Sequence, residues 1–119
     1  MKKYSYFFSI VLLIFLTSCS DIKPVNSSNS NSELLEFAKV NCMFWYFKKM
    51  NYSTKDIRAI SGGIVELGTY SAEKYSKVAI LVKEYKPNIQ TKQNIDIELL
   101  KCYQMDKDKE FLMKIESIK

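Results

Sequence analysis

ELLEFAKVNCMFWYFKK, residues 33–49, decides the fold class. Leu34, Ala38, Cys42 and Trp45 recur at steps of three or four, and Leu35, Phe37, Val40, Phe44 and Phe47 widen the stripe. A strand would alternate every second residue, so this spacing predicts an α-helix. A stripe this broad implies a central helix covered on more than one side, with Ser32 placed to cap it. Successive helical positions turn by about 100°, so Phe44, Trp45, Tyr46 and Phe47 cannot all face one core. Tyr46, which carries a hydroxyl, is expected to reach a surface or second interface; the alternative is a partly buried tyrosine with a wet hydroxyl.

Downstream the same period continues. Residues 51–53 break the pattern, and Thr54 can cap a helix with Asp56 in its first turn. Ile57, Ile60, Ile64 and Leu67 keep their spacing across Gly62-Gly63. This predicts one helix with a weak middle, with two short pieces as the alternative. Two glycines cost a helix about 2 kcal/mol against alanine and can permit close helix packing. Gly68 ends this element and Ser71 begins the next. There Tyr75, Val78, Ala79 and Val82 form a face extended by Ile80 and Leu81, and Pro87 forces a stop near Tyr85. Residues 86–94, KPNIQTKQN, form a polar loop with Ile89 as its apolar member. Asn94 can cap a fourth helix that aligns Ile95, Leu99 and Cys102, although residues 95–98 also alternate as a short strand would. Asp106 can open a terminal helix with Phe111, Leu112, Ile115 and Ile118 inward. The expected fold is all-α, a compact bundle of about five helices.

The chain has 119 residues, enough for one domain, and no histidine. Histidine-based hydrolytic triads and zinc sites are therefore excluded. Lys2 and Lys3 precede an apolar run, residues 7–16, that is too short to span a bilayer and ends in small residues, as a secretory signal does. Leu16-Thr17-Ser18-Cys19 resembles the lipobox of bacterial lipoproteins, which implies cleavage before Cys19, acylation there, and, with Ser20 following, the outer membrane. Ordinary cleavage nearby is the alternative. Several acyl chains anchor a protein stably where one does not. Residues 1–18 thus read as signal, 19–32 as a Ser/Asn-rich tether, and 33–119 as the domain. Removing the signal lowers the net charge from +5 to about +3. Basic residues spread along the chain without an aromatic-basic cluster give no nucleic-acid groove.

With Cys19 at the anchor, Cys42 and Cys102 are left on apolar helix faces in an oxidising compartment. A disulfide between the first and fourth helices is expected, with two buried free thiols as the alternative. Neither has a histidine or a CxxC partner that would make it a nucleophile. Glu66, Glu73, Glu84, Asp96 and Glu98 form no carboxylate pair suited to hydrolysis, and no loop has calcium-binding periodicity. No cofactor or metal is called for. Glu66, between Val65 and Leu67 just after the double glycine, can cap a neighbouring helix N-terminus or meet a partner cation.

Gly62-Gly63-Ile64-Val65-Glu66-Leu67-Gly68, Ala72-Glu73-Lys74-Tyr75, Leu81-Val82-Lys83-Glu84-Tyr85 and Leu99-Leu100-Lys101-Cys102 together resemble immunity proteins that neutralise peptidoglycan-cleaving amidase effectors of type VI secretion. The resemblance runs from about Leu34 to Ile118, with Val65 and Leu67 departing from the family pattern of Leu and an aromatic residue. It implies a periplasmic helical protein, often a homodimer, that is not itself an enzyme. Such a protein blocks the Cys-His cleft of an amidase that cuts between D-glutamate and diaminopimelate. Cys42 and Cys102 match the family's disulfide cysteines. The loop between the third and fourth helices would enter the cleft, with Ile89 as the insert, Gln90 and Gln93 as hydrogen-bonding groups, Lys92 as a charge contact, and Lys86 and Asn88 beside them. A structural or assembly role for an envelope lipoprotein is the alternative, sharing the same anchor and the same helices.

Overall fold

In the computed structural model, residues 30–119 are described, with side chains from Glu33 onward. The expected signal segment, Cys19 and most of the expected tether lie outside them. Five α-helices follow in order: α1 (Ser30–Lys49), α2 (Lys55–Leu67), α3 (Ala72–Glu84), α4 (Ile97–Gln104) and α5 (Lys109–Ile118), with a 3-10 turn at Met105–Lys107 before the last. α1 packs against all four others, which is why its apolar stripe is so broad. The helix begins at Ser30, so Ser32 lies inside it rather than capping it.

Leu34, Phe37, Ala38 and Cys42 of α1 meet Tyr75, Val78 and Val82 of α3, Cys102 of α4, Met105, and Phe111 and Ile115 of α5 in one buried core. The Phe37 and Tyr75 rings meet edge-on with centroids 5.0 Å apart. Cys42 and Cys102 are joined by a disulfide, Cα to Cα 5.5 Å, tying the central helix to α4.

The α1 C-terminus is closed by Asn51 at φ 56°, a left-handed position that Asn tolerates. Tyr52 N–H reaches the Phe47 carbonyl at 2.9 Å and Asn51 N–H reaches Lys48 at 3.2 Å. The Tyr52 ring lies 5.9 Å from that of Phe47. These are the two backbone bonds and the apolar contact of a Schellman ending, so the turn satisfies carbonyls the helix itself cannot.

α2 is one continuous helix through Gly62 and Gly63, yet none of its residues is fully buried. It packs on α1 through a side that includes the partly buried Ile64, while Ile60 is 53% and Leu67 87% exposed. The expected inward face is thus only half covered. Nor do the two glycines allow a close approach, since a Cβ at either would meet nothing within 4 Å.

Two expected helix starts move. Asp96, not Asn94, caps α4, its carboxylate accepting the N–H groups of Glu98 and Leu99 at 2.8 and 3.2 Å. Ile95 therefore precedes the helix, and residues 97 and 98 are helical rather than extended. Asp108, not Asp106, caps α5 through the Phe111 N–H at 3.1 Å. Asp106 sits in the 3-10 turn and is engaged by Lys39 at 2.9 Å. Thr54 and Ser71 occupy their N-cap positions without a side-chain capping bond.

Candidate functional site

The segment from Tyr85 to Asp96 is the long connection anticipated between α3 and α4. Both ends are fastened. Tyr85 closes α3, packs its ring 4.7 Å from Phe111, and donates its hydroxyl to Asp108 at 2.8 Å. Burial, reinforced by the Asp108 carboxylate, pushes the Tyr85 hydroxyl far above its ordinary pKa. The Phe111 N–H and the Tyr85 hydroxyl hold Asp108 below the usual carboxylate range. At the other end Asp96 caps α4, one helical turn and a half before the disulfide at Cys102.

Between these ends the chain folds partly on itself. Gln93 N–H donates to Thr91 Oγ1 at 3.1 Å, and Ile95 N–H donates to the Gln93 carbonyl at 2.9 Å. Lys86, Asn88, Gln90, Lys92 and Gln93 are exposed, whereas Ile89 is only half-exposed. The apolar insert expected to be exposed is therefore partly sheltered.

Two grooves flank the start of the loop. The larger, about 640 Å³, is lined by Leu81, Glu84, Lys86, Asn88, Glu110 and Lys114 around the Tyr85–Asp108 pair. The second, about 320 Å³, lies between Pro87 and Asn88 on one side and Tyr103 and Lys107 on the other. Periodicity offered no sign of either groove, since each needs α3 and the α4–α5 region side by side.

Tyr46 is half-buried rather than exposed, its ring 6.2 Å from Phe47 and 6.4 Å from Tyr52. Loss of solvent, then the nearby Asp96 and Tyr52, raise its hydroxyl pKa. The more exposed aromatic residue of the quartet is Trp45, against the expectation that it belongs to the core stripe. Lys83, Glu98 and Lys101 line a notch beside it. Glu66 is exposed on α2, and no α2 residue lines either groove beside the loop. The structure brings the loop residues to one side of the bundle; neither Tyr46 nor Glu66 lines the grooves beside them.

Chemically, this arrangement offers docking groups. The core cysteines are committed to each other, and among the described residues no three Cys, Asp or Glu side chains converge in a metal-binding set. No known family, curated protein or solved structure matches the chain.

Proposed function

We propose that this domain is an immunity protein that binds a cognate peptidoglycan amidase effector of type VI secretion and occludes its active-site cleft. The observation that supports a binding role is the loop of residues 85–96. It presents Lys86, Asn88, Gln90, Lys92 and Gln93 to solvent while both of its ends are held by the bundle. A loop restrained before binding loses less entropy on docking. The identity of the target rests on the sequence resemblance, and the location, a lipid anchor on Cys19 at the outer membrane, rests on the leader pattern.

The experiment mixes the purified mature domain with a candidate cognate amidase effector and follows peptidoglycan cleavage. Stoichiometric inhibition is expected. Ile89→Asp and the fully exposed pair Gln90→Ala/Lys92→Ala should each weaken it by about tenfold or more, near 1.4 kcal/mol, with unchanged thermal unfolding for the exposed pair. Inhibition indifferent to both changes would overturn the loop assignment, and no inhibition at all would overturn the immunity reading.

A further inference from the structure

Trp45 is the chain's single tryptophan and is 38% exposed. The Lys48 ammonium stands 5.2 Å from its ring centroid, and that of Lys83, arriving from α3, stands 5.7 Å away. Beside the indole opens a notch of about 200 Å³ lined by Cys42, Val82, Lys83, Glu98 and Lys101. Lys49 reaches Glu98 at 3.8 Å. Lys48 and Lys83 thus sit on the indole while Lys49 pairs with Glu98, and the Lys101 ammonium stands 5.8 Å from the Tyr85 ring centroid. From residue 33 onward the chain carries fifteen Lys and Arg against twelve Asp and Glu, so the domain around this patch is net basic.

Two ammonium groups on one ring repel each other, and each cation–π contact at an exposed site contributes only about 0.5–1 kcal/mol. An arriving carboxylate relieves the repulsion without displacing either contact. The walls of the notch at Val82 and Cys42 are apolar, so it accepts an aliphatic side chain. Tryptophan surrounded by arginine or lysine is the kind of anchor on which binding energy concentrates. A bilayer surface would satisfy the lysines and leave the notch unfilled; a polypeptide satisfies both. We infer that the Trp45 patch is a docking surface for an acidic protein segment that presents an aliphatic side chain between carboxylates. This holds whether or not the loop of residues 85–96 enters an amidase.

As the single indole, Trp45 reports occupancy through its own emission. The probe is a blocked Glu-Glu-Leu-Glu-Glu peptide, compared with Gln-Gln-Leu-Gln-Gln and with phosphatidylglycerol vesicles. The acidic peptide should shift Trp45 emission saturably and lose about tenfold in affinity between low salt and ~0.2 M, as screening requires. Lys48→Glu/Lys83→Glu should abolish the response, Lys109→Glu outside the patch should preserve it, and Ile89→Asp should leave it intact. If the double variant fails to fold, Lys83→Gln read the same way carries the test. Equal response to the glutamine peptide, equal loss in Lys109→Glu, or a response to vesicles with none to the peptide overturns the proposal.

Discussion

The Glu33 carboxylate accepts the backbone N–H of Thr69 at 2.8 Å across 36 positions of chain. It also takes the Thr69 hydroxyl at 2.9 Å, the Tyr70 N–H at 3.4 Å and the Tyr75 phenol. One side chain in the first turn of α1 thereby fastens the turn between α2 and α3. Those turn N–H groups precede α3 and have no helical acceptor of their own, so an acidic residue there replaces water as their partner.

This contact makes the fold acid-sensitive. Partial burial raises the Glu33 pKa, but the bonds from Tyr75, Thr69 and Tyr70 outweigh it and hold the carboxyl below its ordinary value of 4.5. A depressed folded-state pKa contributes stability that is present above the unfolded value and lost as pH falls through the folded one. Asp106 and Asp108, also lowered, act with the same sign. Glu33→Gln should cost about 1–2 kcal/mol at neutral pH and flatten the acid limb below about pH 5. Urea midpoints measured from neutral pH downward check this; parallel curves for both proteins would refute it.

The three glycines should respond in opposite directions. A Cβ on Gly68 would strike the Tyr75 hydroxyl and lie 2.5 Å from Glu33 Oε1 and 2.7 Å from the Ile64 carbonyl. Because the last of these is backbone, Gly68→Ala should destabilise by about 1–3 kcal/mol. Gly62→Ala and Gly63→Ala, in open space within a helix, should each stabilise by about 0.5–1 kcal/mol. Thermal melts of the three single variants decide, and a stabilised Gly68→Ala would refute the contact argument.

Removal of the disulfide should be the largest single loss. Cys42 and Cys102 close a loop of 60 positions inside the core. Loop-closure entropy sets the stabilisation at up to about 4 kcal/mol. Cys42→Ala/Cys102→Ala should lower Tm by about 10 °C or more. A fall of only a degree or two would show that the packing around α1 holds α4 without the bond.

Helical period was legible because it follows from local spacing, and the cysteine pair was expected because Cys42 and Cys102 both fall on apolar helix faces. α1 advertises its central position by having apolar groups on too many sides for one neighbour, and it does touch all four other helices. The loop between α3 and α4 was legible too, since Pro87 and a polar run interrupt the period. The cap of α5 was not. Asp106 and Asp108 look alike in sequence; in the fold Asp106 falls in the 3-10 turn, where Lys39 from 67 positions away engages it, and Asp108 takes the N-cap. The latch at Glu33 was likewise invisible, because its partners lie two helices downstream.

By itself, then, the sequence determined five helical segments and the order in which they come, since each depends on residues a few positions apart, and it pointed to a link between the first and fourth that the structure shows as the Cys42–Cys102 bond. Only the tertiary structure decided that α2 leaves Ile60 and Leu67 uncovered, that Ile89 is half-sheltered, and that Trp45 carries the ammonium groups of both Lys48 and Lys83 at the rim of the core. An amphipathic period says that a face can be buried; whether it is depends on which other elements arrive to cover it, and that is set by long-range packing.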